Sequence, residues 1–279
     1  MMGLLISAEQ LSERQNYLIF DCSYSLTDSA AGRRQYATSH IPGAHYADLK
    51  QDLSGEPGVG GRHPLPERER FAEQLRAWGV NKDSTVVCYD QNVSAYATRL
   101  WWMVRWLGHE DVHVLNGGLA TWQAAGFNTE TTVPARTPGD FTAGDPLTRV
   151  REAGDLPDPN RTLIDAREEK RFLGIEEPID PVAGHIPGAF CAPFNENLTD
   201  GYFLSSEALR QRFTDIFSDL APGNDIVCYC GSGVTATHNI LALMLAGEDP
   251  GASVIVPPTL ITQSFLNDED IRNMEDLGA

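Results

Sequence analysis

The amino-acid sequence predicts an α/β protein made of two tandem domains, each a mainly parallel sheet flanked by helices. Two observations predict this fold. Short apolar runs rich in β-branched residues alternate along the chain with amphipathic stretches, a pattern typical of parallel sheets. The same landmarks also occur twice, in the same order, about 145 residues apart. A repeat this long indicates duplicated domains, because the units of solenoids and propellers are much shorter.

The landmarks of each copy are two apolar strands and a turn that contains histidine. The first copy has LIFDC at 18–22, HIPGA at 40–44 and VVCYD at 86–90. The second has LIDAR at 163–167, HIPGA at 185–189 and IVCYC at 226–230. Because His40 and His185 recur in both copies, we interpret them as structural residues.

A segment rich in Thr, Pro and Gly separates the two copies. It spans residues 127–149 and has the composition of a fairly stiff linker. We therefore predict two domains, residues 1–139 and residues 140–279. No clear counterpart of the first-copy segment NGGLATW (116–122) follows in the second copy, so we expect an atypical tail from about residue 251.

Helices are predicted where apolar residues recur on one face, at 71–78 and 206–217. A third is predicted from about Val234 to Ala246, because Gly247 is a favourable residue to end a helix. In parallel α/β sheets the reactive loops lie at the carboxyl ends of the strands. We therefore expect functional residues directly after a strand.

Composition limits the classes of partner. The 279-residue chain has a formal net charge of −18, which argues against nucleic acids and anionic membranes. No apolar run approaches the roughly 18–20 residues of a membrane span. The five cysteines are an odd number without the spacing of a disulfide framework or a zinc site. We expect a reduced, cytoplasmic protein, and a monomer, since the two domains already supply an interface to each other.

Cys230 is the strongest candidate nucleophile. It begins the turn CGSGVT at 230–235, between an apolar strand and a helix. The unpaired N–H groups at a helix N-terminus favour the thiolate, which is the nucleophilic form of cysteine. Gly231 and Gly233 allow the backbone to curl around the sulfur of Cys230, so that N–H groups can converge on it.

Two further features narrow the chemistry. Asp90 stands in the first copy where Cys230 stands in the second, and an aspartate lacks the reactive sulfur of a cysteine. The first domain is therefore interpreted as a structural partner. A cysteine-dependent phosphatase needs an arginine in its loop to hold the phosphate, and no arginine lies between Cys230 and Arg272. We therefore reject phosphatase activity.

The sequence resembles the two-domain rhodanese family of sulfurtransferases over roughly residues 4–250. The resemblance rests on the Cys230 turn, both HIPGA turns, the DAR segment at 165–167 and the NGGLATW segment at 116–122. The form CGSGVTA is similar to that of 3-mercaptopyruvate sulfurtransferases. This resemblance favours 3-mercaptopyruvate sulfurtransferase activity, and thiosulfate sulfurtransferase activity is the second choice. The resemblance implies two rhodanese-like domains, of which the C-terminal one is catalytic.

The resemblance also implies roles for particular residues. Cys230 would carry sulfur from 3-mercaptopyruvate or thiosulfate as a persulfide and pass it to a thiol, thioredoxin or cyanide. Ser232 and His63 would belong to a proton relay, and Arg171 would bind the anionic donor. The remaining turn residues would contact the substrate; they are Gly231, Gly233, Val234 and Thr235. The reaction needs no metal and no organic cofactor.

The chain departs from the family pattern at three places. Where the 3-mercaptopyruvate enzymes commonly have a second arginine, this chain has Asp180. Lys50 occupies the usual place of the acidic relay residue, and Asp52 is close in sequence but is not assigned to the relay. The tail from about residue 251 differs from the family, and we hypothesise a divergent ending or a reading-frame change. An alternative function is therefore a non-catalytic sulfur-carrier or binding module with a compromised catalytic domain.

Overall fold

The computed structural model describes residues 3–13, 16–58, 60–91, 93–151, 161–180, 182–217, 225–247 and the backbone of 253–255. Its first half contains a five-stranded parallel sheet. The strands are β1 (Leu5–Ile6), β2 (Tyr17–Asp21), β3 (His45–Tyr46), β4 (Thr85–Tyr89) and β5 (Val112–Leu115). The helices are α1 (Ala8–Ser12), α2 (Ala31–Thr38), α3 (Arg68–Ala77), α4 (Ala95–Trp106) and α5 (Gly118–Ala124).

The second half contains another five-stranded parallel sheet and a short antiparallel pair. Its strands are β6 (Arg149–Arg151), β7 (Arg161–Asp165), β8 (Phe190–Cys191), β9 (Leu198–Thr199), β10 (Tyr202–Phe203), β11 (Asp225–Tyr229) and β12 (Ser253–Ile255). Its helices are α6 (Glu169–Phe172), α7 (Ser206–Phe217) and α8 (Ala236–Ala246).

The two parallel sheets have the same strand order. The first runs β1-β5-β4-β2-β3 and the second runs β6-β12-β11-β7-β8. Each strand of the second sheet therefore occupies the place of its counterpart in the first. This shared topology confirms the predicted α/β fold with two tandem, mainly parallel sheets.

The local predictions agree closely with the helices. The predicted helix at 206–217 is α7, and the one at 71–78 is α3, which begins three residues earlier. Helix α8 ends at Gly247 as predicted but begins at Ala236 rather than Val234. The reason is that the carbonyls of Val234 and Thr235 accept from the N–H groups three residues later, at 3.2 Å and 3.1 Å, so the chain forms a tighter turn before the α-helix begins.

The two halves share one buried core. Helix α4 of the first half packs against α8 of the second, and the hydroxyls of Thr98 and Thr237 lie 3.0 Å apart between them. The fully buried indoles of Trp101 and Trp102 belong to the same apolar cluster as Leu241 on α8. The first half therefore forms one wall against the helix that follows the Cys230 turn.

A hairpin of the second half also docks on the first. The backbone N–H of Phe203 donates to the side-chain oxygen of Asn116 at 2.9 Å. The hydroxyls of Tyr202 and Thr121 lie 2.5 Å apart. These bonds attach β9 and β10 to the start of α5.

Part of the predicted linker is folded onto the first half. Phe141 is buried, and its N–H donates to the Val80 carbonyl at 3.1 Å. The N–H of Gly144 donates to the Leu107 carbonyl at 2.8 Å. The division into residues 1–139 and 140–279 remains our proposal.

Most of the atypical tail lies outside the described residues. Its described part is β12, which pairs in parallel with β6 and β11. This is the position that β5 holds in the first sheet, so the last strand of the second sheet is present. The hypothesis of a divergent ending or a reading-frame change after about residue 251 stays a prediction. Within the described ranges, no helix is long and apolar enough to cross a membrane.

Candidate active site

Cys230 lies at the carboxyl end of a central strand of the second sheet. It follows β11 directly and precedes the turn that leads into α8. Its side chain is buried, and the backbone N–H of Ser232 points to its Sγ at 3.5 Å. This is the place where parallel sheets present reactive loops.

The remaining predicted turn residues connect Cys230 to the start of α8. Ser232 and Val234 are buried, and the Val234 carbonyl accepts the Thr237 hydroxyl at 2.6 Å. Thr235 is the residue from which α8 starts. Gly233 requires its glycine, because φ of 71° disfavours side chains. The structure thus brings the whole 230–235 segment together.

Arg99 is a site neighbour that sequence reasoning did not select. It comes from α4 of the first half and is almost fully buried. Its guanidinium donates to the Gly233 carbonyl at 3.1 Å and to the carbonyls of Leu53 and His63 at 3.2 Å and 3.1 Å. Burial lowers its pKa to about 10, while the proximity of Cys230 favours the charged form.

A signal for Arg99 was present in the sequence. Arg99 precedes the apolar run Leu100, Trp101 and Trp102 within a largely buried helix. A charged side chain is buried in such surroundings only when polar groups form hydrogen bonds to it. The identity of those groups depends on the other half of the chain and could not be derived locally.

His63 lies beside the same guanidinium. Its ring is buried and stands edge-on to Tyr24, with the ring centroids 6.2 Å apart. Burial lowers the pKa of His63 to about 4, and the charges of Arg62, Arg99 and Lys50 act in the same direction. The ring is therefore neutral at neutral pH. In the described part of the chain, its Nδ1 has no hydrogen-bond partner.

The acidic residues near Lys50 are occupied by their own loop. The Asp52 carboxylate accepts the N–H of Asp48 at 2.8 Å. The Asp48 carboxylate accepts the N–H of Lys50 at 2.9 Å and that of Gln51 at 3.1 Å. These bonds shape the turn that precedes His63, and they give no reason to add Asp52 to the relay.

Arg171 lies at the site but is paired with two carboxylates. Its Nε and Nη2 donate to Glu177, the shortest bond being 2.8 Å, and its Nη2 also donates to Asp180 at 2.7 Å. Burial opposes ionisation of Glu177, but the bonds from Arg171 and from backbone N–H groups outweigh it and lower its pKa. Arg62, from the first half, pairs with the same Asp180 at 3.0 Å. Sequence reasoning did not select Arg62 or Glu177.

In the first half, Asp90 occupies the position that corresponds to Cys230. The Asp90 carboxylate accepts backbone N–H groups of Ser94, Tyr96 and Ala97 at 3.0–3.1 Å. It therefore binds the N-terminus of α4 in the position that corresponds to Cys230 before α8. The predicted structural histidines also have internal partners: His40 bonds to the Tyr36 carbonyl and His185 to the Phe172 carbonyl, both at 2.7 Å.

Known proteins are similar to this chain in sequence and in fold. A family model of the rhodanese-like domain matches residues 6–125 and 150–255. A Pseudomonas aeruginosa protein named "Probable 3-mercaptopyruvate sulfurtransferase" is 48% identical over 254 residues, which cover 87% of this chain and 89% of the relative. The thiosulfate sulfurtransferase of Bos taurus is 34% identical over 243 residues, which cover 82% of this chain and 80% of the relative.

A solved structure agrees with these relatives. The crystal structure of SseA from Escherichia coli, described with the fold and mechanism of 3-mercaptopyruvate sulfotransferases, matches with a TM-score of 0.79 and 30% identity. The match covers 91% of this chain and 98% of that one. The chain therefore belongs to the rhodanese family. Within that family it is a sulfurtransferase enzyme, as its sequence relatives are.

Proposed function

We propose that this enzyme transfers a sulfane sulfur from 3-mercaptopyruvate, with thiosulfate as the next donor, through a persulfide on Cys230. The observation that carries the proposal is the position of Cys230: its buried sulfur faces the N–H of Ser232 in the turn that leads into α8. The relative that is named for 3-mercaptopyruvate is 48% identical, and this supports the order of the donors.

Each step has a simple chemical balance. The Cys230 thiolate attacks the donor sulfur, and the carbon–sulfur bond of 3-mercaptopyruvate or the sulfur–sulfur bond of thiosulfate breaks. The electron pair leaves with pyruvate, as its enolate, or with sulfite. A thiol, a thioredoxin or cyanide then attacks the outer sulfur, and the Cys230 thiolate is restored.

Several residues support this chemistry. A buried thiolate needs positive charge or N–H donors nearby. Arg99 bonds to the Gly233 carbonyl of the turn, and the N–H of Ser232 points to Sγ of Cys230. Ser232 and the neutral ring of His63 are the proposed relay that returns a proton to pyruvate. The described cysteines are all free, which fits our proposal of a reducing, cytoplasmic setting. We also propose that the enzyme is a monomer.

The test compares steady-state sulfur transfer from both donors in the wild type and in Cys230→Ser. We expect turnover with 3-mercaptopyruvate and its complete loss in the serine variant, because a hydroxyl cannot carry a sulfane sulfur. Cys191→Ser is the matched control, since this partly buried cysteine lies on β8, away from the turn. Its activity should be that of the wild type.

Intact mass after donor treatment tests the intermediate. The wild type should gain roughly one sulfur atom, and Cys230→Ser should gain none. A persulfide that forms without turnover would favour the alternative of a sulfur-carrier module. Turnover that survives in Cys230→Ser would overturn the proposal.

A further inference from the structure

The carboxylate of Asp180 lies between two arginines that come from different halves of the chain. Its Oδ2 accepts from Nη2 of Arg171 at 2.7 Å. Its Oδ1 accepts from Nε of Arg62 at 3.2 Å and lies 3.0 Å from Nη2 of that residue. The Asp180 side chain is only 6% exposed. The three groups form one charged cluster, Arg62–Asp180–Arg171.

This cluster lies directly over the active-site turn. A methyl group built on Gly231 would lie 2.5 Å from the Asp180 carboxylate, 2.7 Å from Nη2 of Arg62 and 3.4 Å from Nη2 of Arg171. Gly231 is bonded to Cys230, so the cluster borders the nucleophile. Any group that approaches the turn from this side meets Asp180 and the two guanidinium groups together.

The charges of the cluster are balanced within the protein. Arg171 is bonded to Glu177 as well as to Asp180. Glu177 also pairs with Arg167, which in turn pairs with Asp165. Three positive charges, on Arg62, Arg167 and Arg171, are therefore balanced by three negative ones. Both anionic donors need a cation at the site, and bidentate guanidinium groups bind carboxylates well. Nε and Nη2 of Arg62 are already engaged by Asp180. Nε and Nη2 of Arg171 are engaged by Glu177 and Asp180.

We infer that Asp180 is a specificity-determining residue, whose carboxylate competes with the sulfur donor for Arg62 and Arg171. The inference rests on the proposed function, because it takes the Cys230 turn as the place where the donor reacts. Coulomb repulsion is proportional to charge. Asp180 therefore disfavours dianionic thiosulfate more than 3-mercaptopyruvate, whose carboxylate carries one charge, and shifts the preference of the enzyme toward the carboxylate donor.

The first experiment compares Asp180→Asn with Glu176→Gln. The asparagine keeps the shape of the side chain and removes its charge. Glu176 is an exposed acid of the same segment that pairs with Lys170 at 2.8 Å, so its variant removes one charge outside the cluster. KM and kcat are measured for both donors at constant ionic strength.

We expect Asp180→Asn to lower KM for thiosulfate about tenfold and KM for 3-mercaptopyruvate about threefold, with kcat nearly unchanged. Glu176→Gln should leave both KM values within about twofold of the wild type, since solvent screens an exposed charge. An unchanged or higher KM for thiosulfate in Asp180→Asn would overturn the inference. An equal effect of Glu176→Gln would do the same.

A second variant removes a positive charge from the cluster instead of a negative one. Arg62→Gln leaves Asp180 in place with one partner fewer, so its negative charge repels the donor more strongly. We expect KM for thiosulfate to rise about threefold or more. Because this variant keeps Asp180, it tests the inference even if Asp180→Asn does not fold; an unchanged KM would contradict it. Circular dichroism and thermal unfolding establish that each variant is folded.

Anion binding without turnover separates this inference from the proposed function. In a Cys230→Ser background, the dissociation constants of sulfate and pyruvate are measured by calorimetry with and without Asp180→Asn. We expect the added substitution to tighten sulfate binding about tenfold and pyruvate binding less. Equal dissociation constants would reject the role of Asp180. Absence of turnover in the wild type would instead reject the proposed function, and the dissociation constants of sulfate and pyruvate could still be measured.

Discussion

Arg99 of the first half donates a hydrogen bond to the Gly233 carbonyl in the active-site turn, at 3.1 Å. The same guanidinium holds the carbonyls of Leu53 and His63, so one buried side chain joins the loop of His63 to the turn of Cys230. The turn that contains Cys230 is therefore supported by a side chain from the first half of the chain.

Arg99→Ala should lower the free energy of unfolding by about 3 kcal/mol. The substitution leaves a cavity and removes the donor from several buried carbonyls. Chemical denaturation of the folded enzyme measures the change. Arg34→Ala is the control, because that arginine is exposed and pairs with the exposed Asp28. This variant should hardly change the free energy of unfolding. An equal response of both variants would show that the bonds of Arg99 contribute little.

Acidification should destabilise the protein through His63. The folded ring has a pKa of about 4, whereas an unfolded histidine titrates near 6.5. The unfolded state therefore binds more protons between these values, and the stability that neutral His63 contributes is complete above pH 6.5 and is lost as the pH falls toward 4. The difference in unfolding free energy between wild type and His63→Gln should shrink over this range. A difference independent of pH would contradict the lowered pKa.

Asp90→Ala should destabilise the first domain without abolishing sulfur transfer. The carboxylate binds three N–H groups at the start of α4, and loss of such a cap costs about 1–2 kcal/mol. Asp90→Asn, which keeps one acceptor oxygen, should lose less. Unfolding curves measure the stability, and kcat is measured on the folded fraction. Loss of kcat in a stable Asp90→Asn enzyme would mean that this residue does more than bind a helix.

Gly231→Ala should reduce kcat/KM by about tenfold to a hundredfold, because small displacements of reacting groups have effects of this size. The added methyl would overlap the Asp180 carboxylate and push apart the cluster above the turn. Gly58→Ala is the control, since its methyl would meet nothing within 4 Å. Full activity of Gly231→Ala would show that the cluster can move away from the turn without consequence.

Much of the fold could be derived from the sequence because its signals are local or repeated. The periodicity of residues 206–217 depends on neighbouring residues, and α7 has those limits. The recurrence of HIPGA and of the two strand motifs indicated the duplication, and the two sheets have the same order. The Cys230 turn was recognisable for the same reason: its strand, glycines and helix are contiguous in the chain.

The surroundings of Cys230 could not be derived in this way. Arg62 and Arg99 are distant in sequence and reach the turn only through the packing of α4 on α8 and of the two halves on each other. Asp180 was visible as a departure from the family pattern. Its pairing with Arg62, however, depends on where the first domain is placed.

Sequence alone established the duplicated α/β fold and predicted a reactive cysteine turn and an inactive first copy, because strand, helix and turn signals are carried by contiguous residues. Tertiary structure decided which charges surround the nucleophile. It buries Arg99 against the turn, lowers the pKa of His63 and places Asp180 between Arg62 and Arg171. The physical reason is that burial and Coulomb energies depend on distances between residues that are remote in the chain.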